Sequence, residues 1–225
     1  MKIVWLGQAG LLLETGDTKI IVDPYLSNSC VKLNPANDRR VPVDEQYLKV
    51  KPDILILTHD HLDHTDPETL DYYLGKNEGI LVLASQNAWN HVRSYGNGHN
   101  YVMFNRHTQW TYKDIKFNAV KAEHSDSFAI GVIIEAEGKK YYITGDTLYN
   151  TEIFSDLPEG IDVIFLPVNG VGNNFNMTDA VRFANMTGAK KVVPVHFGLF
   201  DNLDPSKGLE CENKVIPKIY KEMEL

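Results

Sequence analysis

The chain has 225 residues, 43% of them hydrophobic, and carries 30 acidic against 22 basic residues for a formal net charge of −8. That length is ample for a substantial core, no Gly/Ser linker or repeat divides it, and one domain over residues 1–225 is expected. No Lys/Arg run approaches a polyanion-binding stripe, so no nucleic-acid partner is expected. No apolar stretch reaches membrane-spanning length and residues 1–8 lack a signal-peptide core, so a soluble cytoplasmic protein without a membrane partner is expected, with a homo-oligomer compatible.

In chain order, Lys2 to Leu6, Gly10 to Thr15 and Thr18 to Val22 are short β-rich runs divided by Gly7-Gln8-Ala9 and Gly16-Asp17, as in an antiparallel meander. The third run ends in Asp23-Pro24, where the carboxylate is either a turn former or an orienter of a metal ligand. From Ser27 to Asp44 no period is visible and a long loop is expected; it holds the adjacent pair Arg39-Arg40, a candidate anion receptor. The apolar run Ile54-Leu55-Ile56-Leu57 reads as a buried strand. Asp66-Pro67-Glu68 then reads as a helix start, with Asp66 as cap and Pro67 in the first turn, and the helix runs to about Lys76.

Strand, helix and strand patterns follow at Ile80 to Ala84, Ser85 to Ser94 and Tyr101 to Phe104. A second β-rich block covers Thr108 to Tyr112, Ile115 to Ala122, Phe128 to Glu135 and Lys140 to Ile143, with Glu137-Gly138 as a hairpin turn. A buried strand at Val163 to Leu166, a helix from about Thr178 to Thr187 with Gly188 beyond it, a strand at Lys191 to Val195 and a helix near Ser206 complete the pattern. His91, His99 and His107 stand without other ligand types at matching spacing and read as surface or packing residues. Cys30 and Cys211 read as free thiols outside the ligand clusters, so a metal site here would be built from nitrogen and oxygen.

The stretch that carries chemistry is Thr58-His59-Asp60-His61-Leu62-Asp63-His64, directly after the buried run. In extended backbone residues two apart share a face, so His59, His61 and Asp63 are expected to converge while Asp60 and Leu62 turn away; His64 then points to a second metal. Four ligand types packed this tightly would repel or compete for hydrogen bonds without a cation to share. His124, Asp146 and His196 also follow strand ends, which favours one shared face for all seven residues, and Asp23 and Asp60 are candidates to orient imidazole N–H groups. Tyr149, Asn169 and Asn173 lie beside ligand-bearing segments and join Arg39 and Arg40 as candidate substrate contacts.

The H-x-H-x-D-H cluster, a later His before a hairpin, Gly145-Asp146-Thr147 after it and His196 closing the last strand together resemble the metallo-β-lactamase fold superfamily. Within it, Trp5-Leu6-Gly7, the Arg39-Arg40 loop and Asn176-Met177-Thr178-Asp179-Ala180 are similar to L-ascorbate-6-phosphate lactonase-like hydrolases, while compact length and His124-Ser125 look more like a group of small metal-dependent hydrolases. The resemblance implies an α/β fold, a four-layer αβ/βα sandwich of two mixed sheets with outer helices. It implies His59, His61 and His124 on one divalent metal, Asp63, His64 and His196 on a second, and Asp146 between them. Zn or Mn would suit the ligand set, with Fe or Ni also compatible. Asp63 could also relay a proton, and Asp63 and Asp146 are the expected catalytic carboxylates. The implied function is a hydrolase that turns bound water on a small anionic ester, a sugar-phosphate lactone; the alternatives are a phosphodiesterase on nucleotide or lipid head-group substrates and an iron-dependent oxygenase of the same fold.

Overall fold

The computed structural model describes residues 1–225. Its first sheet runs β1 (Lys2–Gly7), β2 (Gly10–Thr15), β3 (Thr18–Val22), β4 (Ile54–Leu57), β5 (Leu81–Ala84) and β6 (Asn100–Met103), in that spatial order. The first three strands pair antiparallel and the rest parallel, so the expected meander is present and the sheet is mixed. The second sheet is ordered β12 (Lys191–Val195), β11 (Val163–Pro167), β10 (Lys139–Ile143), β9 (Ile130–Ala136), β8 (Ile115–Lys121) and β7 (Gln109–Tyr112). Here β7 to β10 are antiparallel, while β10, β11 and β12 are parallel. Glu137 and Gly138, both at positive φ, make the tight turn between β9 and β10 that their sequence suggests.

Strand residues alternate between two cores, which is why β4 reads as an unbroken apolar run. Ile54 and Ile56 face a 41-residue core that fills the space between the sheets and continues under the helix beyond the second, with Ile20 and Val22 of β3 beside them. Leu55 and Leu57 face a separate 14-residue cluster under the helices α1 (Pro67–Tyr73) and α2 (Gln86–Val92). On the far side α3 (Met177–Thr187) covers the second sheet, its Phe183 ring packed against Phe154, Phe175 and Tyr142. The layers are therefore helix, sheet, sheet, helix, as expected.

Local chemistry sets the helix ends. Asp66 caps α1 by accepting from the backbone N–H groups of Glu68 and Thr69, with Pro67 pre-set in the first turn. Asn176 caps α3 through the N–H of Asp179, and Gly188 ends it in the left-handed conformation at φ 65°. Two helices are shorter than their sequence period suggests: α1 stops at Tyr73, and α4 (Pro205–Gly208) is a single turn. The long loop at 27–44 contains two short 3₁₀ turns and is tied to the start of α1 by a bond from the Ser29 hydroxyl to Asp66. No helix is long and apolar enough to cross a membrane.

Parallel pairing places the C-terminal ends of β4, β10, β11 and β12 on one edge of the sandwich. The two sheets are joined there by backbone bonds, Ile130 N–H to the Thr58 carbonyl at 3.1 Å and His196 N–H to the Gln8 carbonyl at 2.8 Å. Every strand-end residue with ligand chemistry is delivered to this rim.

Candidate metal centre

The His59 to His64 segment is not extended. Its backbone turns, with the N–H groups of His64 and Thr65 both donating to the His61 carbonyl at 3.0 and 2.8 Å. The expected alternation is thereby corrected: the turn, not a strand, gathers the ligands, and Leu62 lies along the cavity instead of pointing away. The His59 ring ends 4.0 Å from that of His64 and 4.6 Å from those of His61 and His124, centroid to centroid.

Three groups of donor atoms result, each with its ligand atoms mutually within 4.8 Å: His59, His61 and His124; Asp63, His64 and His196; and, behind them, Asp23, His59 and His64. Asp146 meets the second cluster, with its carboxylate oxygens 3.4 Å from His64 Nε2 and 3.3 Å from His196 Nε2. His59 Nε2, His64 Nε2, His196 Nε2 and Asp146 Oδ1 are all buried without a hydrogen-bond partner. Orphaned buried polar atoms of this kind are costly, and four of them within adjacent donor clusters fit divalent cations with nitrogen and oxygen ligands.

Residues behind the cluster fix which imidazole nitrogens are free. Asp23 accepts from the Thr58 N–H at 2.8 Å, from the Thr58 hydroxyl at 2.5 Å and from His64 Nδ1 at 2.9 Å. Because Thr58 spends its proton on Asp23, its oxygen accepts from His59 Nδ1 at 3.0 Å. Both imidazoles thus carry hydrogen on Nδ1 and turn Nε2 inward. His124 Nδ1 donates to the Asn173 carbonyl at 3.2 Å, with the same consequence. His61 Nδ1 lies 3.1 Å from His124 Nε2, and its other nitrogen faces the Ser125 hydroxyl. Of the two readings of Asp23 the structure selects the orienting one, and the turn as well, since its φ is 42°. Asp60 instead binds His91 Nδ1 at 2.9 Å and orients none of the seven.

Electrostatics separates the imidazoles. Burial, reinforced by the neighbouring His64 ring, holds His59 well below the ordinary histidine range, and burial lowers His124; both are neutral, as ligation requires. Burial also opposes charge on His64 and His196, but Asp146 outweighs it, helped by Asp23 and Asp63 at His64 and by Asp63 at His196. His64 is raised well above its ordinary value and His196 to about 10. Their protons occupy the place a cation would take between imidazole and carboxylate.

Three residues at the site were not singled out by their sequence context. Gln8 donates to Asp63 Oδ2 at 3.0 Å, and Asn174 donates to Asp146 Oδ2 at 2.9 Å. Thr58 relays Asp23 to His59 as described. The only available signal was position, since Gln8 follows the end of β1 and Asn174 sits in the asparagine-rich loop after β11. Asn169 lines the cavity and approaches His196 Nδ1 at 3.1 Å, while its Oδ1 is buried without a partner. Turning the amide over places that oxygen against a protonated Nδ1 and satisfies both groups.

The remaining substrate candidates lie elsewhere. Arg39 donates to the carbonyls of Val41 and Tyr25 and to the Tyr220 hydroxyl, at 2.7, 2.8 and 2.6 Å, so its guanidinium is consumed in holding the loop. Arg40 is exposed and bonds Asn202 at 2.7 Å. Tyr149 packs with Phe154 and Phe183 under the Arg182 guanidinium, and Asn173 contributes only its backbone carbonyl. None of the four lines the cavity beside the cluster, so the expected anion receptor is absent from it. Cys30 also lines it but, as expected, belongs to none of the donor clusters, and burial pushes its thiol up to about 11.

The β-lactamase superfamily domain matches residues 18–197, which span β3 to the residue after His196. The chain belongs to the β-lactamase superfamily. A UPF0173 metal-dependent hydrolase of Staphylococcus aureus (strain bovine RF122 / ET3-1) is 32% identical over 237 residues, covering 95% of this chain and 93% of the relative. Another of that name from Geobacillus thermodenitrificans is 31% identical, covering 89% of this chain and 87% of the relative. Among solved structures, the metallo-hydrolase Igni18 of Ignicoccus hospitalis superposes with a TM-score of 0.75 at 21% identity over 99% of this chain and 97% of its own. An isothiocyanate hydrolase from Delia radicum gut bacteria gives 0.76 at 18% identity, over 100% and 99%. These structures share the chain's fold, and the family match with the sequence relatives supports a metal-dependent hydrolase of the metallo-β-lactamase superfamily.

Proposed function

We propose that this chain hydrolyses a small carbonyl ester or lactone at a centre held by His59, His61, His124, Asp63, His64, His196 and Asp146, the first three on one divalent cation and the next three on another. The observation that carries this reading is that His59 Nε2, His64 Nε2, His196 Nε2 and Asp146 Oδ1 are all buried without a hydrogen-bond partner within neighbouring donor clusters. Bound there, divalent cations of the Zn or Mn type would lower the pKa of water and polarise the scissile oxygen. The chain's own groups do the rest. Asp23 and Thr58 hold the His64 and His59 tautomers, Asn174 holds Asp146, and Gln8 holds Asp63. Asp63 Oδ1, the oxygen not engaged by Gln8, passes the proton from the adding water to the leaving alkoxide as a relay and not as a strong base, since burial is outweighed at its carboxyl by His64 and His196, which hold it well below the ordinary range. A carbonyl is favoured over a phosphodiester because no lysine or arginine lines the cavity to meet a phosphate.

The test is His61→Ala and Asp146→Ala, assayed for bound metal by elemental analysis and for turnover on lactone and phosphodiester panels. Both variants are expected to lose metal and lactone or ester hydrolysis together. Retention of full metal content and turnover by either would refute the ligand assignment, and turnover of phosphodiesters alone would refute the carbonyl reading.

A further inference from the structure

The cavity in front of the cluster is about 720 Å³, room for a substrate well beyond a two-carbon ester. Its charged lining is one-sided. Beyond the proposed ligands Asp63 and Asp146 the carboxylates are Asp60, paired with His91, and Asp201, and the lining contains neither lysine nor arginine. The three cations of the adjoining loop at 27–44 are all engaged elsewhere: Lys32 with Glu68, Arg39 with the loop itself, and Arg40 with Asn202. An anionic tail extending from the metal centre would therefore meet carboxylates and find no partner.

The apolar lining is equally one-sided. Leu33 is 76% exposed and Val171 65% exposed, the two most exposed large apolar side chains of the protein, and both line this cavity. They belong to different loops, one before β4 and one after β11, and deeper in the cavity lie Leu62 and Phe200. Isolated exposed apolar residues need no explanation, but two opening onto one cavity beside a reactive centre make an apolar subsite.

We propose that the substrate is uncharged and carries a short aliphatic arm, held between Leu33 and Val171 over Leu62 and Phe200, with its carbonyl at Asp63, Asp146 and His196. This rests on the hydrolytic reading above and specifies its substrate. The reaction joins a water oxygen to the carbonyl carbon and breaks the bond from that carbon to the alkoxy oxygen. One water proton ends on the alcohol and the other is released as the acid ionises. The product carboxylate forms at the metal centre and, once free of it, meets Asp60 and Asp201 with no lysine or arginine to hold it, so the lining that admits a neutral ester does not retain its product.

The experiment compares 4-nitrophenyl acetate, butyrate, hexanoate and 6-sulfohexanoate on protein loaded with Zn²⁺ or Mn²⁺. Through the acyl series kcat/KM is expected to rise about three- to fourfold per methylene. The sulfonate-ended ester is expected to fall about tenfold or more below the hexanoate at low salt, the gap narrowing as salt is raised. In the double variant Leu33→Lys/Val171→Lys, altered only at exposed positions, the preference should move about tenfold toward the sulfonate-ended ester. Equal turnover of the two six-carbon esters at low salt, or a preference unmoved by the double variant, overturns the proposal. If no ester is turned over, the hydrolytic reading fails separately. Calorimetric binding of N-methylhexanamide against N-methyl-6-sulfohexanamide then decides this one: tighter binding of the uncharged amide upholds the apolar subsite, while equal, reversed or undetectable binding overturns it.

Discussion

Asp23→Asn replaces one carboxylate oxygen by an amide nitrogen of nearly the same size. Asn tolerates the φ of 42° at this position, so the backbone is not the target. The Oδ1 bond to the Thr58 N–H at 2.8 Å survives. At the Oδ2 position, however, a donor now faces the Thr58 hydroxyl, 2.5 Å away, and His64 Nδ1, 2.9 Å away. His64 can only accept there by moving its proton to Nε2, the atom that faces Asp146. Thr58 must accept from the amide and donate to His59 Nδ1, which moves the His59 proton to its inward nitrogen as well. Binding a cation then requires breaking these bonds, at about 1–3 kcal/mol for a buried group left unsatisfied. That corresponds to roughly a 10- to 100-fold rise in metal Kd, the range found for partners behind metal-bound imidazoles. Competition with a chromophoric chelator for Zn²⁺ measures it, and a thermal melt of the metal-free variant reports any separate loss of stability. A Kd unchanged within about twofold, with only the melting temperature lowered, would show that Asp23 builds the turn and does not set the imidazole tautomers.

Two further perturbations probe what lies away from the metals. Arg39→Ala removes three hydrogen bonds from the loop and is expected to cost about 2–3 kcal/mol, lowering Tm by roughly 5–10 °C, whereas the exposed Arg40→Ala should stay within about 0.5 kcal/mol of the parent. Neither should change KM, and a raised KM with unchanged Tm at Arg39 would restore it as a substrate residue. Asp156 supplies a pH test. Burial would raise its carboxyl, but hydrogen bonds from Arg106 and the Lys121 N–H outweigh burial and hold it below its ordinary 3.8. A carboxyl lowered on folding stabilises the protein above the unfolded value and loses that contribution as pH falls through the folded value. Arg106→Ala should therefore raise the acid-unfolding midpoint and cost about 1 kcal/mol near neutral pH, the ion pair being partly solvent-screened. Thermal melts from neutrality to pH 3 on both proteins check it, and coincident acid midpoints would refute it.

By itself the amino-acid sequence determined the elements and the chemistry. Ile54 to Leu57 could only be a strand covered on both faces, Glu137-Gly138 a tight hairpin, and Asp66-Pro67 a helix start, because each depends on neighbours within a few residues. His59, His61, Asp63 and His64 were legible as donors able to hold a metal for the same reason, since their proximity is covalent. Tertiary structure alone decided how that cluster is oriented and what surrounds it. Asp23 meets His64 across 41 positions of chain, Gln8 meets Asp63 across 55 and Arg39 meets Tyr220 across 181. Such contacts arise where parallel strands end on a common edge and distant loops close over it, and no local period records them. The arginine pair looked like an anion receptor because a guanidinium's partners cannot be read from its neighbours. Only the folded loop shows those donors turned to carbonyls, leaving the cavity to leucine, valine and aspartate.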